Sequence, residues 1–260
     1  MIRIGGKKIA QKIIESLKKL PKPNKKLAAV FVGDNSASES FLKQKKKIAE
    51  ELGISFELHK LEEGISEEEL KEEIREIQNN IEVGGIIIQL PLPAKFNRES
   101  VLSVLGPEKD IDALSLEARV LALPIEVIKD ILSDQNYEIK NKIVAVIGRG
   151  RLIGQPVSEW LLEKCKETIL LHSHSDLGEL KKADLVILGI GKPGLIKPEM
   201  LKSGAGVIDF GFSMIDGKIS GDLDSSQSLL GLSFYTPTPG GTGPILVAEI
   251  FKNFYKLNEK

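Results

Sequence analysis

Short apolar runs alternate with amphipathic stretches along most of the chain. Leu27–Val32 is the first such run, and Gly33-Asp34-Asn35 breaks it. The spacing then predicts a helix from about Ser36 to Leu52, opened by a capping box of Ser36 with Glu39 and stopped at Gly53. Ile54–Leu61 alternates as a strand should. Ser66–Gln78 reads as a second helix, with Ser66 and Glu69 as its capping box. Gly85–Leu90 reads as a buried strand ended by Pro91, and Asn97–Leu105 as a short helix.

A second series starts near Lys142. Lys142–Ile147 reads as a strand and Gly154–Lys164 as a helix; Thr168–Leu171, Leu185–Leu188 and Val207–Asp209 read as further strands. Met214–Ser220 has the pattern of a hairpin turning at Asp216-Gly217. Between the two series lies Ala113–Asn141, with one helix near Ile125–Ser133, and the first domain boundary is placed there. The last helix, about Gly243 to Leu257, follows a Pro/Gly-rich segment and is expected to return to the first domain. Strand followed by helix, repeated, predicts an α/β fold with a mainly parallel sheet. The expected division is an N-terminal domain of residues 1–115, completed by 240–260, and a Rossmann-like domain of residues 116–239.

Composition narrows the classes. Lys plus Arg is 36 and Asp plus Glu is 37, so no long-range field draws the chain to nucleic acid or to an anionic membrane. No apolar run has the length of a membrane span. Met1–Gly6 leads into an amphipathic stretch without a signal-peptide core, which favours the cytoplasm. The single cysteine, Cys165, excludes an intrachain disulfide. It sits in Trp160–Cys165, which reads as helix, and a buried structural thiol is expected there.

The strand at Lys142–Ile147 runs into Gly148-Arg149-Gly150-Arg151-Leu152-Ile153-Gly154 and then a helix. Glycines at such a turn let backbone N–H groups approach a pyrophosphate at a helix N-terminus. The spacing is one residue longer than the common fingerprint, so an ordinary glycine-rich turn stays an equal alternative. The next strand ends in His172-Ser173-His174-Ser175, with no acid before Asp176. Arginines in the loop and hydroxyls without an acid suit a ribose 2′-phosphate, hence NADP, with NAD left open. His172 and His174 have no third ligand nearby, and no metal is assigned.

Phe41 and Lys45 are four residues apart and share a helix face. Gln89-Leu90-Pro91-Leu92-Pro93 ends a strand at the sheet edge where open α/β folds bind ligands. Lys109-Asp110-Ile111-Asp112 precedes the boundary. Each has a plain alternative: a solvated basic face, a rigid turn, a helix cap. In order along the whole chain, however, these segments resemble the bifunctional methylenetetrahydrofolate dehydrogenase/cyclohydrolase family. Val32–Ser38 with Lys45, Gln89–Pro93, Lys109–Asp112, Gly148–Pro156, Gly189–Gly194, Val207–Gly211 and Thr236–Pro244 carry the likeness.

The resemblance implies an N-terminal folate-binding domain and a Rossmann-like domain, with an active-site cleft between them. It implies oxidation of 5,10-methylenetetrahydrofolate with NADP or NAD, then hydrolysis of the methenyl cation to 10-formyltetrahydrofolate, usually by a homodimer. It makes Lys45 the residue that assists hydrolysis, Gln89 its orienting partner and Asp112 the acceptor for the pterin ring. Phe41, Ile88, Leu90, Pro239, Gly240, Gly241, Thr242 and Gly243 become substrate-binding positions. Gly148, Arg149, Gly150, Gly154, Ser173 and Phe212 become cofactor-binding positions.

Four positions and one short segment depart from the family pattern. Phe41 stands where tyrosine is usual, Ala113 for glycine, Leu121–Pro124 for a P-C-T-P-like segment, Gly150 for serine and Leu246 for threonine. Loss of the tyrosine hydroxyl would lower hydrolysis by roughly 10²-fold. Two other classes are weighed: a relative that binds NADP or folate without turnover, and a shikimate dehydrogenase-like NADP oxidoreductase.

Overall fold

A computed structural model describes residues 1–115, 117–215 and 217–259. In chain order the elements are β1 (Ile2–Arg3), α1 (Gly6–Leu17), β2 (Lys26–Val32), α2 (Ser36–Glu51), β3 (Phe56–Leu61), α3 (Glu67–Asn79), β4 (Val83–Ile88), α4 (Arg98–Leu102) and α5 (Leu123–Asp134). Then come β5 (Ile143–Ile147), α6 (Gly154–Leu161), β6 (Glu167–Leu171), β7 (Leu185–Leu188), β8 (Gly206–Asp209), β9 (Ser213–Ile215), β10 (Lys218–Ser220), β11 (Phe234–Tyr235) and α7 (Thr242–Leu257). Two compact units result: residues 11–123 with 247–260, and residues 1–10 with 124–246.

The first unit is built on a three-stranded parallel sheet, ordered β3-β2-β4. β2 and β4 are buried at nearly every position, which is why they read as unbroken apolar runs. β3 lies at the edge, and its burial alternates. The open side of β4 is covered by the 109–110 segment: Ile86 N–H donates to the Lys109 carbonyl at 2.8 Å, and Ile86 bridges in parallel to Asp110. α3 packs Leu70, Ile74 and Ile77 into the core beneath β2 and β4. Its capping box is present as read from the sequence. That of α2 is not: Asn35 is the cap, accepting from Ser38 N–H at 2.9 Å, while Glu39 pairs with Lys60. The asparagine amide oxygen, one residue earlier, accepts from the free N–H three residues on.

The second unit holds a six-stranded, all-parallel sheet, ordered β1-β11-β8-β7-β5-β6. β6 is added on one side of β5 and β7 on the other. The strand order therefore reverses at β5, the topological switch point where open α/β sheets bind ligands. Residues 1–10 belong to this unit because β1 pairs with β11, whereas the sequence grouped them with the first domain. α6 ends at Leu161, short of the expected Lys164. Glu163 takes a left-handed φ of 64°, so Cys165 lies beyond the helix, half-buried, with its thiol 3.2 Å from the Thr168 hydroxyl. β9 and β10 form the expected antiparallel hairpin; Asp216 of its turn lies outside the described residues.

Candidate active site

In the first unit α2 brings a lysine into the interior. Ser38, Leu42, Lys45 and Ala49 form its buried stripe, at helical spacing. Lys45 is only 8% exposed, and Nζ donates to Gln89 Oε1 at 3.0 Å. Gln89 follows β4 directly and is fixed at three points. Its N–H donates to the Val30 carbonyl at 2.9 Å, Oε1 accepts from Lys45, and Nε2 donates to the Leu90 carbonyl at 2.7 Å. A lysine donor and a carbonyl acceptor leave one orientation for the amide.

Asp112 sits just past the segment that covers β4. Burial pushes its carboxyl up to about 6, against the pull of Lys45, and Asp110 adds to the rise. Burial lowers the Lys45 ammonium from its usual value, and Asp112 opposes that shift. One unit thus holds a lysine that gives up its proton more readily than an exposed lysine does and a carboxylate that opposes that shift. Phe41, one turn before Lys45, is half-buried.

The chain around Asp112 is held on both sides. The Asp110 carboxylate accepts from Leu114 N–H at 3.0 Å and Ser115 N–H at 2.7 Å. Ala113 takes a left-handed φ of 53°, which explains why glycine suits this position. Ala113→Gly removes a strain of about 1–2 kcal/mol and adds some freedom to the unfolded chain. The expected net effect is a gain of about 1 kcal/mol, read as a higher urea midpoint. A lower midpoint would contradict this reading of the turn.

Ile88 and Thr242 do not offer the side chains expected of substrate-binding positions. Ile88 is packed in the core beside β2 and α3, leaving only its backbone near Gln89. The Thr242 hydroxyl donates to the Asp209 carbonyl at 3.0 Å and is occupied within the protein. Around it, a Cβ on Gly241 would meet the Pro237 carbonyl oxygen at 2.5 Å, so that glycine serves the turn itself. Gly240, with φ of 96°, and Gly243 face open space instead. Pro239 follows a cis peptide bond. This turn lies in the second unit.

The glycine loops of the second unit meet at the switch point. A Cβ on Gly148, the first residue after β5, would lie 2.5 Å from the carbonyl oxygen of Gly189, the first after β7. A Cβ on Gly154 would meet the Gly148 carbonyl oxygen at 1.9 Å. These two glycines close the loop on itself. Gly150, between them, faces open space and is exposed together with Arg149. α6 begins without a side-chain cap. An uncapped helix start beside an open glycine, at the edge of a parallel sheet, suits a dinucleotide pyrophosphate. Ser173, after β6, is half-buried with its hydroxyl 3.2 Å from His174 Nδ1, and Phe212 is 41% exposed.

Two buried aspartates escaped the sequence reading. Asp222 accepts from Ile190, Gly191 and Lys192 N–H groups at 2.7, 3.2 and 2.7 Å, and so shapes the loop after β7. Asp209 accepts from Gly211 N–H at 2.7 Å and Leu223 N–H at 3.0 Å; burial pushes its carboxyl up to about 6. Asp209 stood in a matched segment without a role. Asp222 had no local signal except the glycine before it.

Fold and site together define a two-unit α/β protein, with a dinucleotide-type loop in one unit and a buried lysine–glutamine pair in the other. Residues 4–112 match the tetrahydrofolate dehydrogenase/cyclohydrolase catalytic domain, and residues 124–260 match the NAD(P)-binding domain of the same family. The "Bifunctional protein FolD" of Halothermothrix orenii is 34% identical over 98% of this chain and 97% of its own length. The crystal structure of the bifunctional methylenetetrahydrofolate dehydrogenase/cyclohydrolase from Campylobacter jejuni superposes with a TM-score of 0.91 at 30% identity, covering 98% of this chain and 97% of that one. The Trypanosoma brucei enzyme, solved with NADP and an inhibitor, gives 0.89 at 26% identity over 98% and 96%. The chain belongs to the tetrahydrofolate dehydrogenase/cyclohydrolase family. A Thermus thermophilus shikimate dehydrogenase, at 15% identity and a TM-score of 0.57 over 89% and 93%, shares the fold alone.

Proposed function

We propose that the protein oxidises 5,10-methylenetetrahydrofolate to the methenyl cation with NADP, and hydrolyses that cation to 10-formyltetrahydrofolate. The buried Lys45–Gln89 hydrogen bond, with Asp112 acting on the same lysine, carries the reading. NADP, when bound, supplies the hydride acceptor. Gly148, Arg149, Gly150 and Gly154 would hold its pyrophosphate, with Ser173 and Phe212 further along it. The loop, the uncapped α6 start and the open face at Gly150 fit that group. Oxidation needs two carbons brought together and no proton transfer from the protein.

Hydrolysis asks more of the chain. A water adds to the methenyl carbon and gives one proton to Lys45, whose neutral, proton-accepting form burial favours. The C–N bond then breaks, and Lys45 returns the proton to the departing ring nitrogen. The remaining hydroxyl proton leaves as the formyl carbonyl forms. Gln89 holds Nζ in place throughout, because its amide has one orientation. The Asp112 carboxylate accepts hydrogen bonds from the pterin ring. Phe41 shares this face of α2, and Leu90 supplies a further substrate contact. The family likeness extends the proposal to a cytoplasmic homodimer.

Phe41 brings a ring without a hydroxyl, so the hydrolytic step is proposed to be the weaker one. Phe41→Tyr should raise methenyl hydrolysis by about 10-fold or more, since one catalytic hydrogen bond is restored. Oxidation with NADP should change little. A variant that hydrolyses no faster would remove Phe41 from the account. Product formation with NADP and with NAD, measured in the same assay, tests the cofactor.

A further inference from the structure

α7 buries mostly apolar side chains, among them Val247, Ile250, Phe251, Phe254 and Tyr255. Two polar residues of the helix are completely buried with them: Glu249, which pairs with Lys252 on α7 itself, and Asn253, which reaches outside the helix. Asparagine is a poor residue for a helix interior, and a buried amide carries a desolvation cost that a leucine would avoid. What the amide provides is specific. Its Nδ2 donates to the Ile111 carbonyl at 2.9 Å and, more distantly, to the Leu121 carbonyl at 3.4 Å. These carbonyls lie on either side of Asp112 along the chain.

Because the peptide group is planar, fixing the Ile111 carbonyl fixes the plane that carries the Asp112 nitrogen and Cα. That plane sets the direction in which Asp112 leaves the backbone. α7 is itself seated closely at this point. A Cβ on Gly85 of β4 would lie 2.7 Å from the Ile111 side chain and 2.8 Å from the Phe254 ring. At Gly84 it would lie 2.3 Å from Asn258 Oδ1, and Asn258 Nδ2 donates to the Gly84 carbonyl at 2.9 Å. The two small residues of β4 let the helix approach until its amide reaches Ile111.

We propose that Asn253 is a positioning residue for Asp112, holding the Ile111–Asp112 peptide so that the carboxylate meets the folate ring in register. The proposal rests on the reading of Asp112 as the group that recognises the folate. Asn253→Leu keeps the bulk and removes the donor. Its KM for methylenetetrahydrofolate should rise about tenfold, the effect of one buried hydrogen bond. The KM for NADP should stay within about twofold and kcat within about threefold, because the cofactor loop is built from other residues. In an Asp112→Asn background the same change should add nothing, since both act through one carboxylate.

Asn253→Ser, which keeps a shorter donor, serves if the leucine variant fails to fold, and should show a smaller rise confined to the folate KM. An additive effect in the double variant, or an equal rise in both KM values, would overturn the proposal. So would a folate KM that rises in Asp112→Asn but not in folded Asn253 variants. If Asp112→Asn itself leaves the folate KM unchanged, the reading of Asp112 falls and takes the proposal with it.

Discussion

Lys45→Met is expected to slow methenyl hydrolysis by about 10²–10⁴-fold, the range for loss of a general acid–base group. Oxidation should fall by no more than about threefold, because hydride transfer depends on approach of two carbons. Methionine retains the bulk of the stem that α2 buries beside Leu42 and Ala49. Gln89 Oε1 loses its donor, which costs about 1–3 kcal/mol. That loss is offset in part because an ammonium whose burial is unfavourable has gone. The folded protein should therefore persist. In the wild-type chain, hydrolysis should rise with pH as Lys45 loses its proton below the usual lysine value. The variant should lose that dependence. Decay of methenyl absorbance and growth of NADPH absorbance, measured separately, check both halves. Equal loss of the two activities would show that Lys45 acts in folding or in binding.

Asp112→Asn is expected to raise the KM for methylenetetrahydrofolate by about 10–100-fold, since a hydrogen bond to a charged acceptor contributes about 1.5–3 kcal/mol. The carboxyl is pushed up to about 6, so in the wild-type chain folate affinity should weaken as pH falls through that value. The asparagine variant should show no such break. Stability moves the other way. The folded pKa lies above the ordinary 3.8, so stability linked to the protonated carboxyl is present below 3.8 and is lost as pH rises through about 6. The variant should lack this decline. Asp112 also holds the Lys45 pKa up, so its removal should shift the hydrolysis profile to lower pH. A folate KM that does not change on substitution would remove Asp112 from recognition.

Elements defined by burial on both faces were legible in the sequence. β2, β4, β5 and β7 are near-continuous apolar runs because neighbouring strands and helices cover them. The α3 cap was legible because Ser66 and Glu69 satisfy each other locally. Where two caps competed, as at Asn35 and Ser36, geometry decided and pattern did not. β1 and β11 are two residues each and exist through pairing with distant strands, so no local period marks them. α1 starts at Gly6, whose Cβ would strike the Gly241 carbonyl at 1.7 Å, a constraint set by a turn far along the chain.

The site divides the same way. Lys45, Gln89 and Asp112 were singled out through motif order, and the structure adds the 3.0 Å bond between the first two. Asn253 and Asp222 were not found, because their partners lie far away in the chain: 142 residues for Asn253 to Ile111, and about 30 for Asp222 to its loop. The glycine loop was legible as a loop. Only the Cβ distances separate Gly148 and Gly154, which close it, from Gly150, which leaves it open.

The measurement closest to the central claim is a stopped-flow trace of the wild-type chain mixed with 5,10-methylenetetrahydrofolate and NADP. NADPH and methenyl absorbance should rise together, and the methenyl signal should then decay more slowly than it formed, as formyl product appears. A chain that forms no NADPH, or forms it with no methenyl species at any time, would contradict the account.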